Sequence, residues 1–139
     1  MSLDKKFYKS KKNRLPGTSC QELNREAKNF YKGIKSRTKR TPYVRSRYFR
    51  NEKVFLTLFW AHLAEKNEKD RARRLKFFIC ALDLIKNSTI DPETRENFQK
   101  KDELLHRFYV LIKGGEQFVA QVKENKRSRR KYFISVYAL

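Results

Sequence analysis

The chain has 139 residues, of which 39% are hydrophobic, 14% aromatic and 36% charged, and its formal net charge is +20. This length allows one domain with a hydrophobic core, and the content of apolar and aromatic residues excludes a disordered basic tail. So basic a protein is expected to bind a polyanion, because each phosphate that it neutralises releases condensed counterions. Ribosomal RNA, messenger RNA, transfer RNA and DNA all fit the charge. The alternative is a basic surface that only keeps the protein in solution.

The positive charge is concentrated in the first 50 residues. Residues 1–50 contain 16 Lys and Arg against 3 Asp and Glu, whereas residues 51–139 contain 19 against 12. Arginine dominates several clusters, and its guanidinium group pairs with phosphate in a fixed bidentate geometry. Three clusters are therefore expected to bind nucleic acid, RNA more than DNA: Arg45, Arg47 and Arg50; Arg71, Arg73 and Arg74; and Arg127, Arg129, Arg130 and Lys131.

The cysteines and the lengths of the apolar runs indicate the cellular compartment. Cys20 and Cys80 stand far apart without metal-ligand spacing, which favours reduced thiols in a cytoplasmic protein. No apolar run reaches the roughly 18 residues of a transmembrane span, and the basic N-terminus lacks the apolar stretch of a signal peptide. We therefore expect a cytoplasmic location with no membrane partner.

The predicted elements begin with a flexible basic arm over residues 1–17, which ends in the breaker "LPG". Residues 18–139 are predicted to form a single domain. Ser19 stands three residues before Glu22, the spacing of a capping box at the start of a helix. Apolar residues recur at helical spacing in two further segments, and His62 is expected to be a core residue on the apolar face of the second helix. The predicted helices cover residues 19–35, 51–66 and 69–86.

After the helices the apolar period changes from 3.6 to 2. Three segments rich in Phe, Tyr, Val and Ile are separated by "KGG" and by the basic turn "NKRSRR", a pattern typical of antiparallel strands. The predicted strands cover residues 104–112, 116–124 and 131–137. The fold is therefore predicted to be α+β, with N-terminal helices packed on a C-terminal antiparallel β-meander of three or four strands.

The three strands can be aligned by asking which pairing collects apolar residues on one face. This places His106 opposite Gln121 and Gln121 opposite Ser135. The face that packs on the helices then contains Leu105, Tyr109, Leu111, Phe118, Ala120, Val122, Tyr132, Ile134 and Val136, interrupted by Arg107. A slip of one residue would bring Gln121 and Lys123 into that face, so the first register is preferred.

The other face of this predicted sheet carries His106, Gln121 and Ser135 in one row. Imidazole moves protons near neutral pH, and hydroxyl and amide groups can hold a phosphate oxygen. The row therefore indicates metal-free RNA cleavage through the 2′-hydroxyl, with His106 as general acid or base and with Gln121 and Ser135 positioning the phosphate. Lys123, Arg107 and Arg130 would stabilise its charge. No cofactor or metal site is predicted, since the acidic residues are dispersed.

Several short segments also resemble a known superfamily. The segments "CALDLIKNSTIDP", "LLHRF", "FVAQVKE" and "YFISVY", in this order after N-terminal helices, resemble the phage-associated nucleases of the barnase, EndoU, colicin and RelE-like superfamily. The resemblance covers residues 70–139. It implies an RNase-toxin-like domain from a mobile element, with the serine of the last strand at Ser135 and with basic or histidine residues on the neighbouring strands that contribute to RNA cleavage. It also implies a cognate acidic antitoxin as partner.

Two other functions remain open. The superfamily often has a histidine in its helical half, whereas this chain has "DRARRLKFF", so a non-catalytic basic module that binds RNA or DNA is the alternative. In isolation, His106 and Ser135 also fit purely structural roles in strands. A protein whose basic arm contacts a protein partner is a third possibility.

Overall fold

The computed structural model of the protein describes residues 6–139, so the first five residues of the predicted arm lie outside the described part. The helices are α1 (Cys20–Arg37), α2 (Thr57–Ala64), α3 (Glu68–Leu75) and α4 (Phe78–Asn87). The strands are β1 (Phe7–Lys9), β2 (Tyr43–Ser46), β3 (Glu52–Phe55), β4 (Glu93–Glu96), β5 (Glu103–Leu111), β6 (Gln117–Asn125) and β7 (Lys131–Ala138).

The described strands form one mixed, curled sheet of seven strands. The order is β1-β5-β6-β7-β3-β2, and β4 also pairs with β5. The pairs β1/β5 and β3/β7 are parallel, and the other pairs are antiparallel. The predicted architecture, in which helices pack on an antiparallel meander of three or four strands, is therefore wrong. The four additional strands have only three or four residues each, too few for an alternating pattern to be visible in the sequence.

The helix predicted over residues 51–66 is wrong in its first part. Glu52–Phe55 forms strand β3, which pairs in parallel with β7, and α2 begins only at Thr57. Val54 is fully buried while Phe55 is half-buried, which is the alternation of a strand. The apolar residues of this segment therefore belong to two elements.

The helix predicted over residues 69–86 is divided into α3 and α4. The carbonyl oxygen of Lys76, where the division lies, accepts a hydrogen bond from the backbone N–H of Leu15 at 2.9 Å. After the break, Phe77 stacks on Phe118 of β6, with ring centroids 4.6 Å apart. The N-terminal segment and the sheet thus contact the chain where the two helices are divided.

Residues 6–17 are docked on the domain, so the flexible arm predicted there is wrong. Strand β1 pairs with β5, and the side chain of Leu15 is buried. Buried Asp83 of α4 anchors this segment through hydrogen bonds from Tyr8 Oη at 3.0 Å, the Lys11 N–H at 2.8 Å and Ser10 Oγ at 3.3 Å. Burial raises the pKa of Tyr8 to about 12, and the Asp83 carboxylate acts in the same direction.

Replacing Asp83 with asparagine is expected to lower the free energy of unfolding at pH 7 by about 1–3 kcal/mol, because the donors lose a charged acceptor. Burial alone would raise the pKa of Asp83, but the hydrogen bonds from Lys11, Asn87, Tyr8 and Ser10 outweigh it and the pKa is lowered. The stabilisation is therefore present above the unfolded-state pKa of about 3.9 and is lost as the pH falls through the folded-state value.

Urea unfolding at pH 7 and in acid measures this effect. The difference between wild type and Asp83→Asn should shrink in acid. Asp102→Asn is the matched control, because Asp102 is exposed and its replacement should change the stability by less than about 0.5 kcal/mol. An equal loss for both variants at pH 7 would contradict the anchoring role of Asp83.

The strand register differs from the predicted one by a single residue between β5 and β6. Arg107 lies opposite Gln121, and His106 lies opposite Val122. Gln121 lies opposite Ser135 of β7, as predicted. The core side of β5 is therefore formed by Phe108 and Val110, together with Phe118, Ala120, Val122, Phe133 and Val136 from the next two strands. The predicted use of Leu105, Tyr109 and Leu111 for this face is wrong.

No helix within residues 6–139 has both the length and the apolar character needed to cross a membrane.

Candidate functional site

An irregularity in the last hairpin determines where Ser135 lies. Val122 pairs with Phe133, whereas the preceding residue Gln121 pairs with Ser135, so Ile134 is an additional residue in β7. Such a bulge reorients the side chains that follow it and is common next to active sites. Tyr132 pairs with Lys123, two residues from Gln121. Because of the bulge, Tyr132 and Ser135 lie on the same face of the sheet although they are three residues apart.

Helix α2 lies beside the part of β7 that β3 does not cover. The β3/β7 pairing is limited to two residue pairs, Val54 with Lys131 and Phe55 with Tyr132. Beyond them, the ring of Phe59 in α2 stacks on Phe133 with centroids 4.7 Å apart and planes at 7°. His62 follows Phe59 by one helical turn, and Ser135 follows Phe133 by two residues. Both His62 and Ser135 line one cavity beside this edge of β7.

The result is a cleft of about 310 Å³ between α2, α3 and the last two strands, which we call the α2–β7 cleft. Its polar lining residues are His62, Glu65, Lys66, Arg74, Gln121 and Ser135. The volume is at the lower end of the range of small-ligand pockets. The cleft thus holds the predicted pair Gln121 and Ser135, but with His62 instead of His106.

The side chains of His62, Gln121 and Ser135 are half-buried. Within residues 6–139, no other side chain or backbone group forms a hydrogen bond with any of the three. Polar groups at a half-buried position without protein partners can bind water or a ligand. These three side chains therefore differ from the satisfied polar groups of the core.

Arg74 is held in a fixed position at the cleft. Its Nε donates to Asp70 Oδ1 at 3.2 Å, and its Nη1 donates to the carbonyl oxygen of Val136 at 2.8 Å. The second bond satisfies an edge carbonyl of β7 and ties α3 to the sheet. The guanidinium group still has free N–H groups with which it can bind an anion, since it carries five donors. Lys66 adds a second cation to the same lining.

His106 lies in the interior, so the predicted row through His106, Gln121 and Ser135 is wrong. Its side chain is only 6% exposed. The distance from Nδ1 to Thr94 Oγ1 is 2.8 Å, and that from Nε2 to Glu124 Oε1 is also 2.8 Å. The edge of the ring packs against Phe49. Both ring nitrogens have partners, which is the usual condition of a structural histidine.

The position predicted for His106 in the polar row is taken by Arg107. The register aligns Glu93, Arg107, Gln121 and Ser135 across four strands. Arg107 is half-buried, and its Nε is buried with no hydrogen-bond partner among the described residues. The row therefore brings a guanidinium group, rather than an imidazole, towards the cleft residues.

Some of the residues predicted to bind phosphate are already paired. Lys131 is buried, and its Nζ lies 2.6 Å from Glu52 Oε2, so it is not available at the surface and that prediction is wrong. The Lys123 ammonium group lies 3.3 Å from Glu103, and Arg127 Nε lies 3.4 Å from Asp102. Arg127 is exposed, and its pairing is the weak kind found at a surface.

The other predicted basic residues are mostly at the surface. Arg45, Arg47, Arg50, Arg73, Arg129 and Arg130 are exposed, and Arg71 is half-buried. Arg45 donates to the carbonyl oxygen of Asn51 within the β2–β3 turn. Arg71 of α3 lines a cavity that Trp60 and Tyr31 also line, and its Nε has no partner in the described part of the chain.

The sequence alone did not identify His62 or Glu65 as candidate site residues. The helical spacing of Phe59 and His62 was visible, but it indicated a core position. Only the tertiary packing of α2 beside β7 brings His62 and Ser135 to one cavity. In residues 6–139 no three His, Cys, Asp or Glu side chains are grouped in a way that could hold a metal ion.

No family model, curated protein or solved structure matches this chain, and the resemblance to the nuclease superfamily therefore stays a prediction.

Proposed function

We propose that the protein binds RNA and cleaves it without a metal ion in the α2–β7 cleft. The observation that carries the proposal is the convergence of His62, Arg74, Gln121 and Ser135 on one half-buried cavity. A proton-transfer group, a fixed cation and two neutral hydrogen-bonding groups are the parts that transesterification at phosphorus requires. The role that the sequence suggested for His106 is assigned to His62.

In the proposed reaction, the ribose 2′-oxygen attacks the adjacent phosphorus, and the bond from phosphorus to the 5′-oxygen of the next nucleotide breaks. The exposed carboxylate of Glu65 accepts the 2′-hydroxyl proton, and the imidazolium of His62 supplies a proton to the leaving 5′-oxygen. The products are a 2′,3′-cyclic phosphate and a 5′-hydroxyl. Solvent then restores the two protonation states.

The remaining cleft residues act on the phosphoryl oxygens. Arg74 and Lys66 stabilise the negative charge that increases as the phosphorus becomes five-coordinate. Gln121 and Ser135 donate hydrogen bonds to the same oxygens. Because Arg74 is already anchored by Asp70 and Val136, its guanidinium group needs little reorganisation when the substrate binds.

The net charge of +20 supports an RNA substrate over a neutral one. The proposal includes a cytoplasmic site of action and an acidic antitoxin as protein partner, since a protein of this charge attracts acidic surfaces.

A second candidate function is non-catalytic binding of RNA or DNA. It is favoured by the exposed arginines outside the cleft, of which Arg47, Arg50 and Arg73 form no ion pair within the described residues. For a binding module, RNA should stay intact in every sample, and the affinity should fall steeply as the salt concentration rises.

Replacing Ser135 with alanine is expected to lower the rate of RNA cleavage in EDTA about tenfold to a hundredfold. The variant loses one hydrogen bond to a charged phosphoryl oxygen, which is worth roughly 1.5–3 kcal/mol. Ser36→Ala is the matched control, because Ser36 is exposed on α1 and its Oγ bonds, among residues 6–139, only to the Gly33 carbonyl oxygen. Wild type and Ser36→Ala should cleave labelled RNA equally fast. RNA that stays intact with wild type would overturn the proposed cleavage.

A further inference from the structure

Three aromatic side chains form a row across neighbouring strands at one end of the sheet. Tyr43 of β2 is the register partner of Phe55 in β3, and Phe55 is the partner of Tyr132 in β7. The ring centroids of Tyr43 and Phe55 are 6.2 Å apart, and those of Phe55 and Tyr132 are 5.8 Å apart. All three side chains are half-buried, whereas Val44 and Val54, which alternate with them, are buried. The aromatic row therefore lies on the outer face of the sheet.

Cations surround the aromatic row. The row lines a groove of about 770 Å³ whose other charged lining residues are Arg37, Lys39, Arg40, Lys53 and Arg130. These five cations are exposed, and none of them forms an ion pair with another residue in the range 6–139. None of the described residues that line the groove is acidic. A groove with aromatic walls and unpaired positive charge is complementary to a ligand that combines flat apolar rings with a regular series of negative charges.

Some cations are already placed over the rings. The Lys53 ammonium group lies 4.7 Å from the Tyr43 centroid, and the Arg45 guanidinium carbon lies 5.5 Å from the same centroid. Lys123, the register partner of Tyr132, lies 5.4 Å from that ring. Phosphates next to a stacked base would meet these groups without a large movement of the protein.

We infer that the aromatic row and its groove bind single-stranded RNA, with bases stacked on Tyr43, Phe55 and Tyr132 and phosphates held by the surrounding cations. The inference rests on the proposed function for the identity of the ligand and adds a binding site outside the cleft. In a duplex the faces of the bases are stacked on one another and cannot stack on the aromatic row. A duplex can therefore contact only the cations of this groove.

Ser135, which lines the α2–β7 cleft, and Tyr132, which belongs to the aromatic row, lie on the same face of the sheet. The bulge at Ile134 places Tyr132 and Ser135 on one face. Three residues of strand span about 10 Å. A single strand stacked on the aromatic row therefore passes close enough to present a neighbouring phosphate to the cleft.

The test is the affinity of the full chain for a fluorescent 2′-O-methyl RNA of about ten to fifteen nucleotides, a length suited to one such site. This ligand lacks the 2′-hydroxyl and cannot be cleaved, so binding is measured independently of cleavage in the cleft. Wild type should bind the single strand more tightly than the duplex of the same sequence. Tyr132→Leu should weaken single-strand binding about tenfold, whereas Tyr132→Phe should bind nearly as well as wild type.

Phe98→Leu is the matched control for the loss of an aromatic ring. Phe98 is 99% exposed, lies outside the aromatic row and is followed closely by Lys100 and Lys101. The Phe98→Leu variant should bind the single strand with the same affinity as wild type. Equal affinities for single strand and duplex, an unchanged affinity for Tyr132→Leu, or an equal loss for Phe98→Leu would each overturn the inference. None of these results depends on whether the cleft cleaves RNA.

Discussion

Replacing His62 with glutamine is expected to lower the rate of RNA cleavage by at least about 100-fold, the usual contribution of a positioned general acid. Glutamine is similar in size and still fits the half-buried position, but it cannot supply a proton to the leaving 5′-oxygen. Binding of the uncleavable 2′-O-methyl RNA should change little, because the aromatic row lies outside the cleft. The rate is measured in EDTA with labelled RNA.

His106→Gln is the informative comparison for this variant. An amide can replace the two hydrogen bonds that the buried ring makes with Thr94 and Glu124, so the protein should be somewhat less stable but still active. Circular dichroism confirms that each variant is folded at the assay temperature. A folded His106→Gln that has lost cleavage, together with an active His62→Gln, would show that the histidine roles are assigned incorrectly.

Replacing Phe133 with alanine is expected to have the largest effect on stability, a loss of about 3–5 kcal/mol. The Phe133 side chain is fully buried and stacks on Phe59, so the variant loses apolar burial and leaves a cavity between α2 and β7. Since domains are stable by only roughly 5–15 kcal/mol, this variant should be marginally folded. Urea unfolding measures the difference.

Phe98→Ala removes the same side chain from an exposed position and should change the stability by less than about 0.5 kcal/mol. If Phe133→Ala does not fold, Phe133→Leu should still show a smaller loss. The same loss for both alanine variants would contradict the packing of α2 on β7, and with it the position of His62.

The long elements of the fold could be predicted from local patterns. The predicted strands 104–112, 116–124 and 131–137 lie within one residue of β5, β6 and β7. The Ser19 side chain caps α1 by accepting a hydrogen bond from the Glu22 N–H at 3.1 Å, as the capping-box spacing predicted. In these segments the apolar period and the capping residue agree with the tertiary structure, so the local pattern is sufficient.

The register of β5 could not be predicted in this way. Both of its faces carry large apolar side chains, Tyr109 and Leu111 on one and Phe108 and Val110 on the other. The alternation that normally selects a register therefore gives little preference. The core face also contains His106, which a hydrophobicity argument places outside. Its cost of burial is offset by the hydrogen bonds with Thr94 and Glu124. Thr94 belongs to β4, a strand that the sequence pattern did not reveal.

The candidate site was predicted only in part. Gln121 and Ser135 lie opposite each other as expected, because both belong to the last hairpin, which is local in sequence. The histidine beside them, His62 of α2, comes 59 residues before Gln121 and 73 before Ser135, and nothing local connects it to the hairpin. The bulge at Ile134 also adds one residue to the alternation, which a regular period of two cannot anticipate.

The most direct test of the central claim is the chemistry of the new RNA ends formed by wild type in EDTA. Mass spectrometry of the fragments distinguishes a 2′,3′-cyclic phosphate from a 3′-hydroxyl. We predict that every new 3′ end carries the cyclic phosphate, that every new 5′ end is a hydroxyl, and that both disappear with His62→Gln. Intact RNA, fragments with 3′-hydroxyl ends, or cyclic-phosphate ends formed equally by His62→Gln would contradict cleavage by the α2–β7 cleft.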